Sequence, residues 1–212
     1  LSNLSLQLYG MMLKVGYVRS DEDYQKVKTY FNDHLPLYNI EDLGFREKLW
    51  LYKAYLWYSF LTQDFLSCYK YASKWVDLFY EHKDMIYLNP VFFLKGNHYL
   101  LESLFYVQYS SQFKEVLERL ENTIKEKEFP DNDNINSLVF MYINANKLNL
   151  HFLEGTFEKG LYLVKIIEYG INKHRDRIDI HHVMVLYYKI ACLYFGIGDN
   201  KTCIQYLKKI IE

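Results

Sequence analysis

Residues Tyr187 to Ile211 read YYKIACLYFGIGDNKTCIQYLKKII, and this stretch decides the fold. Its apolar and aromatic side chains recur at helical spacing: Tyr187, Ile190, Ala191, Tyr194 and Phe195, then Cys203, Ile204, Tyr206, Leu207, Ile210 and Ile211. A helix with one face turned to a partner repeats in this way, whereas a half-buried strand alternates every second residue. Gly196-Ile197-Gly198-Asp199 separates the two stripes. Glycine there admits the positive φ that closes one helix, and Asp199 offers an acceptor to the orphan amides that open the next. The stretch reads as a short-turn helical hairpin.

Working outward, weaker copies of this hairpin fill the chain. Leu4 to Val18 is apolar with interruptions at Gly10 and Gly16, and Ser20-Asp21-Glu22-Asp23 supplies a cap and an acidic first turn for Tyr24 to His34. Asp42 is placed to cap a helix running to about Leu61, and Thr62-Gln63-Asp64 turns the chain into Phe65 to Glu81. Asn89-Pro90 opens a helix to about Tyr109, because proline suits a first turn, and its partner runs from Phe113 to Lys127. The polar stretch Lys125 to Asn136 is a loop. Ile135 to Leu153 and Phe157 to Asn172 then form the pair before the last.

A common register links these pairs. In the second helices, Phe65–Cys68–Ala72–Trp75 aligns with Phe113–Val116–Leu120–Thr123, Phe157–Gly160–Val164–Ile167 and Asn200–Cys203–Leu207–Ile210. The compact position steps by 48, 44 and 43 residues from Cys68 to Val116, Gly160 and Cys203. Leu56, Leu104, Leu148 and Ala191 stand twelve residues before each of these, where the two helices of a hairpin approach closely. By the same register Trp75 belongs to a hairpin seam.

On these residues the chain resembles the tetratricopeptide-repeat family, with Ala191, Tyr194, Gly198-Asp199, Cys203 and Leu207 falling at the family's spacing. Earlier units depart from it. Cys68 and Val116 replace the small alanine, Ser111 and Thr62-Gln63 replace the glycine turn, and the units exceed the usual 34 residues. The resemblance implies an all-α, right-handed superhelical stack of antiparallel helix pairs, with about ten helices. One repeat domain spanning residues 1–212 is expected. Because the chain starts at Leu1 and stops inside a helical pattern, it is expected to be part of a longer polypeptide.

The resemblance also implies a non-enzymatic platform that binds a protein or peptide in a concave groove lined by the first helix of each pair. The residues expected to project there are Trp50, Lys53, Trp57, Phe60, His98, Leu101, Phe105, Tyr109, Tyr142, Asn149, Phe152 and Tyr188. Tryptophan and tyrosine dominate interface hot spots, which suits capture of a helix or extended peptide. The alternative is that these rings pack between helices. A basic-plus-asparagine clamp for a partner's terminal carboxylate is not reproduced, since Trp57 and Phe105 stand where small polar residues would be needed. A second functional reading is a regulatory or sensor segment of a larger signalling or transcription-control protein.

Composition narrows the field further. The formal net charge is −1, so no basic excess exists to drive counterion release from nucleic acid. No apolar run approaches the ~20 residues needed to span a bilayer, and no membrane partner is expected. Three cysteines do not make a disulfide framework, which points to a reduced, cytoplasmic protein. The abundance of tyrosine (22) and phenylalanine (14) beside four alanines favours strand by propensity, but the spacing overrides it.

No cofactor or metal is expected. His181 and His182 are adjacent, so on a helix they point about 100° apart. Asp131-Asn132-Asp133-Asn134 lacks the central glycine and closing glutamate of a calcium loop. No nucleophile elbow, phosphate loop or dinucleotide fingerprint appears.

Overall fold

The computed structural model describes residues 1–211. Among them the protein is all-α, with eleven α-helices joined by turns and two short 3-10 segments, and no strand. The chain groups into two compact units, Leu1–Leu88 and Asn89–Glu212. Each unit is built from neighbouring packed helices, as an α-solenoid-like stack requires.

The first unit holds α1 (Ser2–Val15), α2 (Asp21–His34), α3 (Phe45–Leu61), α4 (Phe65–Glu81) and the short α5 (Asp84–Leu88). As its acidic first turn implies, α2 opens on Ser20, whose hydroxyl accepts from the Asp23 amide at 3.1 Å. Asp42 does not cap α3. It ends a 3-10 turn, Ile40–Asp42, and α3 starts three residues later, after Gly44, whose amide donates to Glu47 Oε2 at 2.7 Å. Helix α3 packs against α4 and α1. Its seam with α4 buries Leu56, Cys68, Ala72 and Trp75, the positions that the repeat register reserves for close approach. The other flank of α3 is covered by α1 through Leu4, Leu8 and the Tyr9 ring.

The second unit holds α6 (Pro90–Tyr106), α7 (Ser110–Ile124), α8 (Asp133–Glu154), α9 (Tyr162–Lys173), α10 (Ile180–Gly196) and α11 (Asn200–Ile211). Helix α6 packs on α7 and α8, α8 on α10, and α10 on α11. The last hairpin begins earlier than its quoted stripe, because Asp179 caps α10 by accepting from the His182 amide at 3.0 Å. Phe157 to Leu161 forms a turn ending in a 3-10 segment, so α9 proper starts at Tyr162. Gly160 sits at the compact register position. A Cβ there would lie 2.9 Å from Leu193 Cδ1, so the backbone itself makes the close approach.

One turn geometry recurs at four hairpins. Gln63, Gln108, Gly155 and Gly198 all have positive φ, between 58° and 81°. In each case the next residue's amide donates five residues back, from Asp64 to Ser59, Tyr109 to Leu104, Thr156 to His151 and Asp199 to Tyr194, at 2.9–3.0 Å. This is the six-to-one bond of a Schellman helix end. The glycine turn of the last unit therefore has structural copies where the sequence shows glutamine.

Candidate functional site

In the second unit a polar row crosses α6, α8 and α10. It starts from an unusual composition in α8, where Asn144, Asn146 and Asn149 lie buried in mid-helix. Asparagine is a poor helix former because its side chain competes for backbone groups. Here Asn144 and Asn146 resolve the competition by donating to the carbonyls four residues earlier, Phe140 at 2.7 Å and Tyr142 at 2.8 Å. Their Oδ1 atoms stay available as acceptors.

From Asn146 the row extends both ways. Its Oδ1 accepts from Asn149 Nδ2 at 3.5 Å, and Asn149 Oδ1 accepts from Lys189 Nζ at 2.5 Å. On the other side Asn146 Nδ2 lies 3.4 Å from His98 Nδ1. His98 stacks on Tyr142 with centroids 4.4 Å apart, and its Nε2 is 3.8 Å from Glu102 Oε2. Lys189 Nζ also stands 5.9 Å from the centroid of Phe105. The sequence from Glu102 through His98, Asn146 and Asn149 to Lys189 thus alternates hydrogen-bonding groups beside aromatic faces.

Burial shifts the titration of both bases in the same direction. His98 is held below the ordinary imidazole pKa, first by burial and then by the charges of Lys189, His182 and Lys95, with Glu102 opposing. Lys189 is likewise lowered by burial, with Glu102 and Cys192 opposing. Neutral His98 presents one donor and one acceptor nitrogen, while Lys189 remains a donor. Asn146 and Asn149 are buried and bonded within the protein, so the partly exposed His98 and Lys189 are the members of the row open to a ligand's amide or carboxylate groups. No nucleophile in it is activated by an adjacent base.

The twelve residues named from the sequence fall into separate places. In the first unit, Lys53 is buried with Nζ 4.1 Å from the Trp50 ring and 5.4 Å from the Trp75 ring. Trp57 is covered instead of projecting into a groove: its ring lies 5.0 Å from Tyr9 of α1 and it is 3% exposed. Phe60 is buried beside it at 6.3 Å. The reason is α1, whose apolar face lies against α3.

In the second unit, His98, Tyr142 and Asn149 join the polar row and Leu101 is fully buried. Phe105 and Phe152 line a surface cleft of about 420 Å³ with Tyr106, Gln108, Ser110 and Leu153. Tyr109 stands at the start of α7, partly exposed. Tyr188 is exposed, and its hydroxyl is raised above the ordinary phenol range by a hydrogen bond with Cys192. The residue turned into the row is its neighbour Lys189, which the sequence reading missed. A one-residue register shift on a helix is a rotation of about 100°, enough to exchange the two. Asn146 and Glu102 were missed as well. The legible signal was three asparagines within eight residues of one helical run, INANKLNL.

The remaining polar candidates have local partners. His182 Nδ1 is 2.6 Å from Asp179 Oδ2, Asp133 pairs with Arg177 at 2.8 Å, and Asn132 caps α8 by accepting from the Ile135 amide. Among the described residues, no group of three or more His, Cys, Asp or Glu side chains is placed to hold a metal ion. Among the same residues no helix is long and apolar enough to cross a membrane. Compared with known families, curated proteins and solved structures, the chain matches none. The fold defines an all-α protein of packed helices, compatible with a helical repeat.

Proposed function

We propose that the protein is a non-enzymatic, tetratricopeptide-like repeat scaffold that binds a protein or peptide through the inner helices of its second unit. The observation that carries this reading is the row His98–Asn146–Asn149–Lys189 beside the Phe105/Phe152 cleft. An extended peptide offers alternating amide donors and acceptors along its backbone and side chains at intervals. The partly exposed ends of the row, His98 and Lys189, supply groups for the first, and the Phe105 and Phe152 rings of the cleft supply contact for the second.

Affinity capture with quantitative mass spectrometry tests the reading. Wild-type protein should enrich a defined partner that the Phe105→Ala/Phe152→Ala variant fails to enrich, with circular dichroism confirming that the variant stays helical. Equal enrichment by both proteins would remove the cleft from the binding surface.

A further inference from the structure

The outward face of α9 breaks the pattern set by the other second helices of the pairs. In the repeat register, Tyr162, Ile166 and Tyr169 correspond to Lys70, Lys74 and Asp77 on α4, and to Glu118, Asn122 and Lys125 on α7. The α4 and α7 sets are all exposed and polar, as an outer face should be. On α9 the same positions are apolar yet still exposed, at 56%, 46% and 71%. They follow one another at i, i+4 and i+7, so they form one stripe two turns long, about 11 Å.

Lysines border this stripe. Lys159, Lys165 and Lys173 are exposed along it. Of the two acids between residues 158 and 173, Glu168 is already engaged, accepting from Tyr206 Oη at 2.9 Å and Lys209 Nζ at 3.0 Å. Only Glu158 remains to offset three lysines.

The helix cannot roll to hide the stripe. Leu163, Val164, Ile167 and Ile171 occupy its buried side in the core of this unit. Gly170 is pressed so closely on α8 that an added Cβ would sit 1.9 Å from Phe140 Cε2. Rotation would open that seam.

We infer that the α9 face docks an acidic amphipathic helix of a protein partner, with the partner's apolar side on Tyr162, Ile166 and Tyr169 and its carboxylates against the three lysines. Charge selects this occupant. A second copy packing through the same face would oppose lysines to lysines. A flat anionic bilayer needs a broader apolar and basic surface than this stripe, which is one helix wide and about 11 Å long. A single helix about 10 Å wide meets only α9. This surface is separate from the polar row and cleft, so it stands whether or not that site binds a peptide.

The test is selection of a displayed library of three-turn amphipathic helices, with flanking positions varied among Glu, Gln and Lys, on the purified chain. Enriched helices should carry Glu flanks and weaken as salt rises, because exposed pairs are screened. They should lose at least about tenfold in affinity, ~1.4 kcal/mol, against Tyr162→Ser/Tyr169→Ser and against Lys165→Glu/Lys173→Glu. These substitutions are at exposed sites, so circular dichroism and the melting temperature should not move. Enrichment of nothing, enrichment without acidic bias, or equal binding to both variants would overturn the inference. So would sedimentation with phosphatidylserine vesicles, or a dimer that either variant dissolves, in place of helix binding.

Discussion

Trp57 and Asn149 occupy the same place in the repeat, each one residue after the leucine (Leu56, Leu148) that faces the hairpin partner. Both are almost fully buried. Around Trp57 the chain closes its first unit with rings: Tyr9 from α1, and Phe60 one turn along α3. Around Asn149 the neighbours are Asn146 and Lys189, and the space is filled with hydrogen-bonding groups. One scaffold position thus serves either to seal an apolar face or to build a polar row. What decides is the neighbouring element, since α1 brings an apolar stripe and α10 brings a lysine. The energetic signatures should differ accordingly, because apolar burial is lost smoothly with area whereas a buried polar row is lost when one member goes unpaired.

The largest expected effects lie on the apolar side. Trp75→Ala empties a fully buried position between α3 and α4, and Trp57→Ala empties one between α3 and α1. Each should cost about 3–5 kcal/mol, read from urea unfolding midpoints. A periodicity argument alone makes Trp57 a partly exposed groove residue that costs ~1 kcal/mol or less. A loss that small would mean that α1 does not cover Trp57.

The polar side should yield an intermediate effect. Asn149→Ala removes the acceptor of a lysine drawn out of water and should cost about 1–3 kcal/mol. Asn149→Asp restores an acceptor with charge and should recover most of that loss. If Asn149→Ala and Asn149→Asp unfold at the same denaturant concentration, Lys189 has no need of the group, and the row is incidental.

How much of this was legible can be traced residue by residue. The hairpin stripes, the Leu56/Leu104/Leu148/Ala191 ladder and the seam role of Trp75 follow from spacing, because helical burial repeats with the helix period. The covering of Trp57 did not follow, since it depends on where α1 lies, and nothing local to α3 specifies that. Tyr188 shares the register position of Lys53 and Leu101, three residues before the ladder, whereas the polar row runs one residue further on, through Glu102, Asn146 and Lys189. Thr62-Gln63 was placed at the glycine turn by register, but the matching turn of the next pair falls on Gln108 and not Ser111, because backbone conformation is shared while residue type is not.

Acidity should separate the two sides again. Burial holds His98 neutral in the folded state below its ordinary pKa of 6.5, so the unfolded chain takes up the proton first as pH falls. Stability should therefore be level above about pH 7 and decline as pH drops through 6.5 toward the lower folded value. His174, also lowered, mainly by burial, adds a smaller part of the same sign because it is more open to water. His98→Gln keeps a hydrogen-bonding side chain without a titrating proton and should flatten the slope between about pH 7 and 5.5. Urea midpoints across that range check this. A variant slope equal to wild type would place the titration elsewhere.

The smallest effect concerns the turns, and it tests whether the four hairpins share one design. Gln108 holds φ at 59° between α6 and α7, where the last unit uses Gly198 at 81°. A side chain in the left-handed region costs roughly 1–2 kcal/mol, while glycine loses about 0.5–1 kcal/mol more chain entropy on folding. The balance favours Gln108→Gly by a few tenths to about 1 kcal/mol. Gln63→Gly should gain less, because Gln63 Nε2 donates to the Val18 carbonyl at 3.1 Å and that bond is lost. Gly198→Gln should move the other way, by about 1 kcal/mol. The three signs are read from denaturation midpoints. A loss on Gln108→Gly would mean that its side chain makes a contact worth more than the backbone strain, and that this turn is not interchangeable with the glycine turn of the last hairpin.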